Sequence, residues 1–426
     1  GQGMWAASLR YHEGRFYICF VANDTRKTYL YTSEKIDGPW KKQLIEGFYH
    51  DCSLLFDEDG RNYIVYGNDE IWITELNEDL TAPKKDGLHR LLVSDHKNPE
   101  LGYEGSHIQK INGYYYIFLV HSLRDRWMRT EACFYSDSLE GEFTGGDVLC
   151  DDRGYCGQGV AQGGIVDTPD GKWYAMLFQD SGAVGRIPIL LPVTWKDHFP
   201  VFGQNGHVPE EIEVCSTRPD YTYQPLVGSD DFHNGLLPRW QFNHDPDPRY
   251  YHLDALQGTY TITTREVCTE LTQAVNTLTQ RMSYPSCAAE VTVDASALKE
   301  GDVAGLCALQ SCYAAVGITK HHGKYEVLML DKKEDGILDM TGGTVVESHQ
   351  MDFRLEADFC NMNDEARCYY RVNKGEWLPI GTVHKLYFKL DHFTGCRFGL
   401  FCYAAEETGG SACFRDFKYY DVDEIS

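Results

Sequence analysis

Four times in its N-terminal half the chain repeats one short unit: a glycine, an aromatic residue within the next three positions, and an apolar run. The copies are His12-Glu-Gly-Arg-Phe-Tyr-Ile-Cys-Phe20, Asp57-Glu-Asp-Gly-Arg-Asn-Tyr-Ile-Val-Tyr66, Ile111-Asn-Gly-Tyr-Tyr-Tyr-Ile-Phe-Leu119 and Asp170-Gly-Lys-Trp-Tyr-Ala-Met-Leu-Phe178. Each reads as a hairpin turn, with glycine supplying the positive φ, that feeds a strand. The glycines are Gly14, Gly60, Gly113 and Gly171, so the steps are 46, 53 and 58 residues. That is the period of a β-propeller blade with loops of variable length. A second echo, Tyr31-Thr-Ser-Glu-Lys-Ile-Asp-Gly-Pro-Trp40 against Tyr135-Ser-Asp-Ser-Leu-Glu-Gly-Glu-Phe143, marks an outer strand and its exit turn. Little helical periodicity is present, so the fold class is all-β.

Nine residues before each glycine stand Trp5, Asp51, Glu104 and Gln162. In a propeller these positions open the innermost strands and converge near the axis. Two carboxylates in shared register at such a place point to a site rather than to turn caps. Paired carboxyl groups in a cavity are the machinery for cleaving a glycosidic bond: one gives a proton to the leaving oxygen while another activates water or attacks the sugar.

Composition narrows the partners. The formal net charge of −25 repels phosphate backbones and anionic lipid surfaces, so neither nucleic acid nor a membrane is expected as a partner. No apolar run approaches the ~18 residues of a membrane span. At 426 residues, with 42% hydrophobic and 24% charged, the chain suits two globular domains. Its 15 cysteines are odd in number, and Cys19, Cys133, Cys307 and Cys402 sit in apolar strand-like runs. Free buried thiols in a reducing, cytoplasmic, bacterial setting are the expectation.

These motifs together resemble glycoside hydrolase family 43, in its β-xylosidase and α-L-arabinofuranosidase group. Met4-Trp-Ala-Ala-Ser8 is similar to the family's Trp-Ala-Pro-Ser strand, His50-Asp-Cys-Ser53 to the segment with its central Asp, and Glu104-Gly-Ser-His107 to the Glu-Gly-Pro-His segment with its proton donor. Gln162-Gly-Gly-Ile-Val-Asp167 and Gly182-Ala-Val-Gly-Arg-Ile-Pro188 follow in the family's order. The resemblance implies that Glu104 is the general acid and that Asp51 orients it and raises its pKa. It implies sugar-binding roles for Trp5, Arg186, Gln162 and His107; Gln162 stands where many members carry His. It also implies a five-bladed propeller whose general base lies in the first blade. With four repeats counted, that blade and the base are expected to be absent from the 426 residues given.

The expected domains are 1–228, a propeller with linker, and 229–426, a β-sandwich. Seven strands are predicted in the second, over 259–264, 288–294, 304–311, 325–331, 366–372, 397–403 and 412–420. Ser229-Asp-Asp-Phe232, Trp240-Gln-Phe-Asn-His244 and Gly301-Asp-Val-Ala-Gly-Leu306 resemble the concanavalin-like module of the same group. No zinc motif occurs and no cofactor is required, while carboxylates leave room for a structural calcium ion. The expected activity is exo-acting, inverting release of terminal xylose or arabinose from xylo- or arabino-oligosaccharides, with a homo-oligomer left open. The alternative is a sugar-binding protein without hydrolytic activity.

Overall fold

A computed structural model describes residues 3–389 and 394–421. The chain divides into two compact units, residues 1–180 with 186–217, and residues 181–185 with 218–426. The unit boundary thus lies at 217–218 rather than at the expected 228–229, and residues 181–185 group with the second unit.

The first unit holds four antiparallel sheets of four strands, each in simple sequence order. They are β1 Ser8–His12, β2 Arg15–Ala22, β3 Lys27–Ser33 and β4 Lys41–Ile45; then β5 Ser53–Phe56, β6 Asn62–Asn68, β7 Glu70–Leu76 and β8 His89–Ser94. The third is β9 Glu104–Ile111, β10 Tyr114–Ser122, β11 Arg129–Ser136 and β12 Thr144–Leu149; the fourth is β13 Ala161–Asp167, β14 Trp173–Asp180, β15 Arg186–Lys196 and β16 Phe199–Phe202. All four repeat glycines turn the first hairpin of their sheet, at φ of 79, 81, 84 and 78°.

The central strands are apolar on consecutive residues because both faces are packed. In β10, Tyr115, Ile117 and Leu119 join Tyr63, Val65 and Ile73 of the second sheet. Tyr116 and Phe118 point the other way, into a layer with Ile165, Leu177 and Leu191 of the fourth. Cys19, Leu30 and Ile45 join the first sheet to Leu54 and Ile64 of the second. Packed layers thus fill the gaps between sheets one and two, two and three, and three and four, in a propeller-like series. The opposite face of the first sheet exposes Leu9 and Tyr11, and that of the fourth exposes Val166 and Met176.

The second unit is a β-sandwich of two seven-stranded sheets. One runs Gln241–Phe242, Leu278–Arg281, Arg397–Tyr403, Val303–Leu309, Ala314–His321, Lys324–Lys332 and Leu338–Val346. The other runs Tyr251–Asp254, Thr259–Thr263, Ser411–Asp421, Ser286–Asp294, Gln350–Asp358, Glu365–Val372 and Leu378–Lys385. Leu306, Val316, Val327 and Phe398 of the first meet Val291, Phe353, Leu355 and Phe414 of the second in one core. All 15 cysteines are unpaired by disulfides.

In the first unit, Arg10 of β1 ties three inner strands together. Its Nε donates to the Leu54 carbonyl at 3.0 Å and its Nη2 to the Ile108 carbonyl at 2.8 Å. Burial pulls its pKa down to about 10, which leaves it charged at neutral pH. Arg10→Met orphans two carbonyls and is expected to cost about 2–4 kcal/mol, read as a lower urea midpoint at unchanged slope. A loss under about 0.5 kcal/mol, the level of an ordinary surface change, would refute the strap.

Candidate active site

The inner strands of sheets two, three and four share a local irregularity. In the third, Phe118 pairs with His107 but Val120 pairs with Glu104, so one residue is left over between them. In the fourth, the same slip falls between Ala161 and Gly164. In the second, Ser53 pairs with Val65 while the Gly67 amide donates to the His50 carbonyl. Each is a bulge whose first residue is left-handed: Asp51 at φ 46°, Gly105 at 66° and Gln162 at 66°.

This corrects the register read from the sequence. Asp51 corresponds to Gly105 and Gln162, whereas Glu104 corresponds to His50. Counting back from the glycines slips by one because the hairpins differ in loop length: Ile111 pairs directly with Tyr114, but Phe56 pairs with Asn62 and Asp167 with Trp173.

The bulges nevertheless bring the two acids to one place, with His50 between them. His50 Nε2 lies 3.6 Å from Asp51 Oδ2 and 3.7 Å from Glu104 Oε2, within ion-pair reach but beyond hydrogen-bond length. Asn68 Nδ2 donates to Glu104 Oε2 at 3.0 Å. The Asp51 side chain is 4% exposed and that of Glu104 15%. Burial pushes the Asp51 carboxyl up to about 6; the charge of Glu104 adds to the rise, while His50 and Arg186 oppose it. Burial disfavours protonation of His50, but Glu104 and Asp51 outweigh it and its pKa rises. Behind Asp51, the thiols of Cys52 and Cys19 touch at 3.3 Å in the core. The donor atoms of His50, Asp51 and Glu104 all lie within 4.8 Å of one another, the one grouping among the described residues compact enough to close on a cation.

The Trp5 ring lies 5.5 Å from that of His50, at the edge of the trio. Arg186 Nε donates to Asp180 Oδ1 at 3.1 Å, and Arg129 Nε donates to Asp180 Oδ2 at 3.0 Å. Arg129 Nη1 reaches Gln162 Oε1 at 3.3 Å, and the Gln162 amide donates to Glu131 Oε2 at 2.7 Å. His107 stands past the bulge against β13, where a Cβ on Gly164 would meet its Nδ1 at 3.2 Å. Burial first, and then Arg10, push its pKa down to about 3, which keeps it neutral. His50, Asn68, Arg129, Glu131 and Asp180 were not foreseen. His50 adjoins Asp51 in a motif already quoted, so it alone had a usable signal.

Residues 1–200 match the sequence pattern of Glycosyl hydrolases family 43, and residues 229–420 that of the Beta xylosidase C-terminal Concanavalin A-like domain. The chain belongs to glycosyl hydrolase family 43. Among similar proteins, a putative beta-xylosidase of Xylanibacter ruminicola is 28% identical over 89% of this chain and 70% of its own length. A non-reducing end alpha-L-arabinofuranosidase of Bacteroides ovatus is 22% identical over 80% of this chain and 67% of its own. The solved structure of a bifunctional GH43-CE protein of Bacteroides eggerthii is 40% identical, with a TM-score of 0.88. That match covers 100% of this chain and 55% of the other, so the chain spans about half the length of that family 43 structure.

The Asp51 shift has a stability consequence. Its folded pKa of about 6 exceeds the ordinary aspartate value of 3.8, so ionised Asp51 opposes folding. The cost is absent below the lower value, grows between the two and is full above the higher. Asparagine tolerates left-handed backbone. Asp51→Asn is therefore expected to raise the unfolding free energy by on the order of 2–3 kcal/mol near pH 7.5, with the gain vanishing near pH 4. Chemical denaturation at both pH values checks it; an equal gap at both contradicts the assignment.

Proposed function

We propose that the first unit is the hydrolytic domain of an exo-acting, inverting pentosidase releasing terminal β-D-xylose or α-L-arabinofuranose from hemicellulose oligosaccharides. The observation that carries this reading is the setting of Glu104. It opens an inner strand, reaches water with 15% of its side chain and is steadied by Asn68 next to His50 and buried Asp51. A partly exposed carboxyl fixed beside a second, buried one is suited to give a proton to a leaving oxygen. Asp51 would set the field around it, Trp5 would offer a flat wall to the sugar and Arg186 a planar fork to its hydroxyls. The names of the relatives, beta-xylosidase and alpha-L-arabinofuranosidase, support a pentose.

Inversion needs a second carboxylate roughly 6.5–9.5 Å from the acid, with room for water. We assign that base to a fifth four-stranded sheet that completes the propeller between the outer faces of the first and fourth sheets. Two features support it. Leu9 and Tyr11 are 50% and 64% exposed on one of these faces, and Val166 and Met176 are 57% and 50% exposed on the other. The faces between successive sheets, by contrast, are packed shut.

Two outcomes follow. In the protein bearing the fifth sheet, Glu104→Gln should lower hydrolysis of xylo-oligosaccharides by about 10²–10⁴-fold and that of nitrophenyl glycosides far less, since a nitrophenolate leaves without a proton. Equal losses on both substrates would remove Glu104 from the role. The 426 residues alone should show no turnover, whereas the protein with the fifth sheet should hydrolyse. Full activity from the 426 residues would place the base within them.

A further inference from the structure

His121, near the end of β10, stands between two carboxylates. Its Nδ1 lies 3.0 Å from Asp95 Oδ2 and its Nε2 lies 2.9 Å from Asp147 Oδ1. A neutral imidazole carries one N–H, so one of these contacts would set a bare lone pair against a carboxylate oxygen. A protonated ring donates at both. Asp95 keeps its own charge because it also accepts from Asn98 Nδ2 at 2.7 Å and Arg124 Nη2 at 2.6 Å. The Asp147 side chain is 44% exposed, where water supports its charge. The extra proton therefore belongs to the ring. Burial disfavours the charged imidazole, but Asp147 and Asp95 outweigh it and its pKa rises.

The ring also meets the segment that leads into Glu104. That segment runs from Asp95, just after β8, to Tyr103, just before β9. Asp95 is bonded to His121 at its start, and the Tyr103 ring lies 4.9 Å from the imidazole at its end. Burial pushes the Tyr103 pKa up to about 12, so the phenol facing the imidazole is neutral. Between them, Asn98 Nδ2 donates to the Ser122 carbonyl at 2.8 Å, and the Ser122 amide donates to the Leu101 carbonyl at 3.0 Å. Val120, the residue before His121, pairs with Glu104 itself. Asp147 anchors the other side of the ring on the outer strand β12.

We infer that His121, held as an imidazolium between Asp95 and Asp147, is a positioning residue that fixes both ends of the segment delivering Glu104 to the inner strand. This rests on the reading of Glu104 as the acid. The clamp is present below the raised folded pKa of the ring and is lost as pH rises through it. Asp147→Asn removes that dependence, because the new amide can donate to Nε2 while a neutral ring still donates from Nδ1 to Asp95.

Nitrogen-15 NMR of the histidine side chains of the 426-residue protein tests the charge, with His121 assigned from its absence in His121→Gln. At pH 7.5 an ordinary imidazole is about nine-tenths neutral. Both ring nitrogens of His121 are expected to be protonated there, and Nδ1 alone in Asp147→Asn; a bare nitrogen in the parent overturns the inference. Hydrogen exchange over residues 95–104 tests the fastening. His121→Gln should speed it about tenfold and Asp147→Asn less than about threefold, whereas unchanged exchange in His121→Gln overturns the inference. In the protein bearing the fifth sheet, His121→Gln should lower kcat/KM on xylo-oligosaccharides about tenfold more than on nitrophenyl glycosides, which leave without a proton. Equal losses, as mere destabilisation would give, overturn it. Should His121→Gln fail to fold, His121→Phe takes its place with the same expectations, since it keeps a ring against Tyr103 and drops both hydrogen bonds. If Glu104→Gln leaves the ratio between the two substrates unaltered, the reading of Glu104 as the acid fails, while the NMR and exchange results still decide the clamp.

Discussion

At Asp51, Gly105 and Gln162 the chain spends one residue of an inner strand on a left-handed bulge, and everything at the channel depends on those residues staying there. Non-glycine residues in that region cost of order 1–3 kcal/mol and persist only where their surroundings hold them. Neighbouring sheets do so here. The single Ser106 Oγ proton is shared between the Asp51 carbonyl at 2.8 Å and the Val65 carbonyl at 3.0 Å, so the third sheet braces the bulge of the second. A side chain on Gly105 would meet Gln162 Cγ at 2.9 Å, so the third bulge packs on the fourth. Gln162 is in turn held by Glu131, whose carboxyl burial pushes well above the usual range. The geometry of the candidate site and the packing of the sheets are the same set of contacts.

The net charge of −25 belongs to the whole chain, whereas at the candidate site acids and cations stand together. Arg10, Arg129 and Arg186 concentrate positive charge where inner strands converge, and each is fastened to a carbonyl or a carboxylate. That local balance matters for Asp51. Burial and Glu104 drive its carboxyl upward, and Arg186 with His50 limits the rise to about 6. A proton is then available near neutrality without the acid being neutral at every pH.

Much of the architecture was legible because repeat glycines need positive φ whatever surrounds them, and all four have it. Their spacing gave the sheets, and the loss of that spacing marked the second domain. Register was less legible: loop length moves the inner strand by a residue without disturbing the motif, which is why Asp51 and Glu104 looked equivalent. In the sandwich the seven predicted strands exist, but seven more were missed. Leu338–Val346 carries Gly342 and Gly343 and is mostly exposed, so it shows no alternation. The Arg129–Asp180–Arg186 bridge was invisible because β11 and β14 meet only through the fold. Its members are unremarkable charged residues in sequence.

Cys19 and Cys52 belong to the core between the first and second sheets, beside the bulge at Asp51. Cys52 follows Asp51 in the chain, and its thiol meets that of Cys19 at 3.3 Å, a polarisable and nearly apolar pair. The rise of the Asp51 carboxyl comes from burial and Glu104, while His50, Arg186 and the Gly105 amide hold it back. Sulfur at position 52 lets the residue after the bulge sit in the core without an oxygen's demand for hydrogen-bond partners.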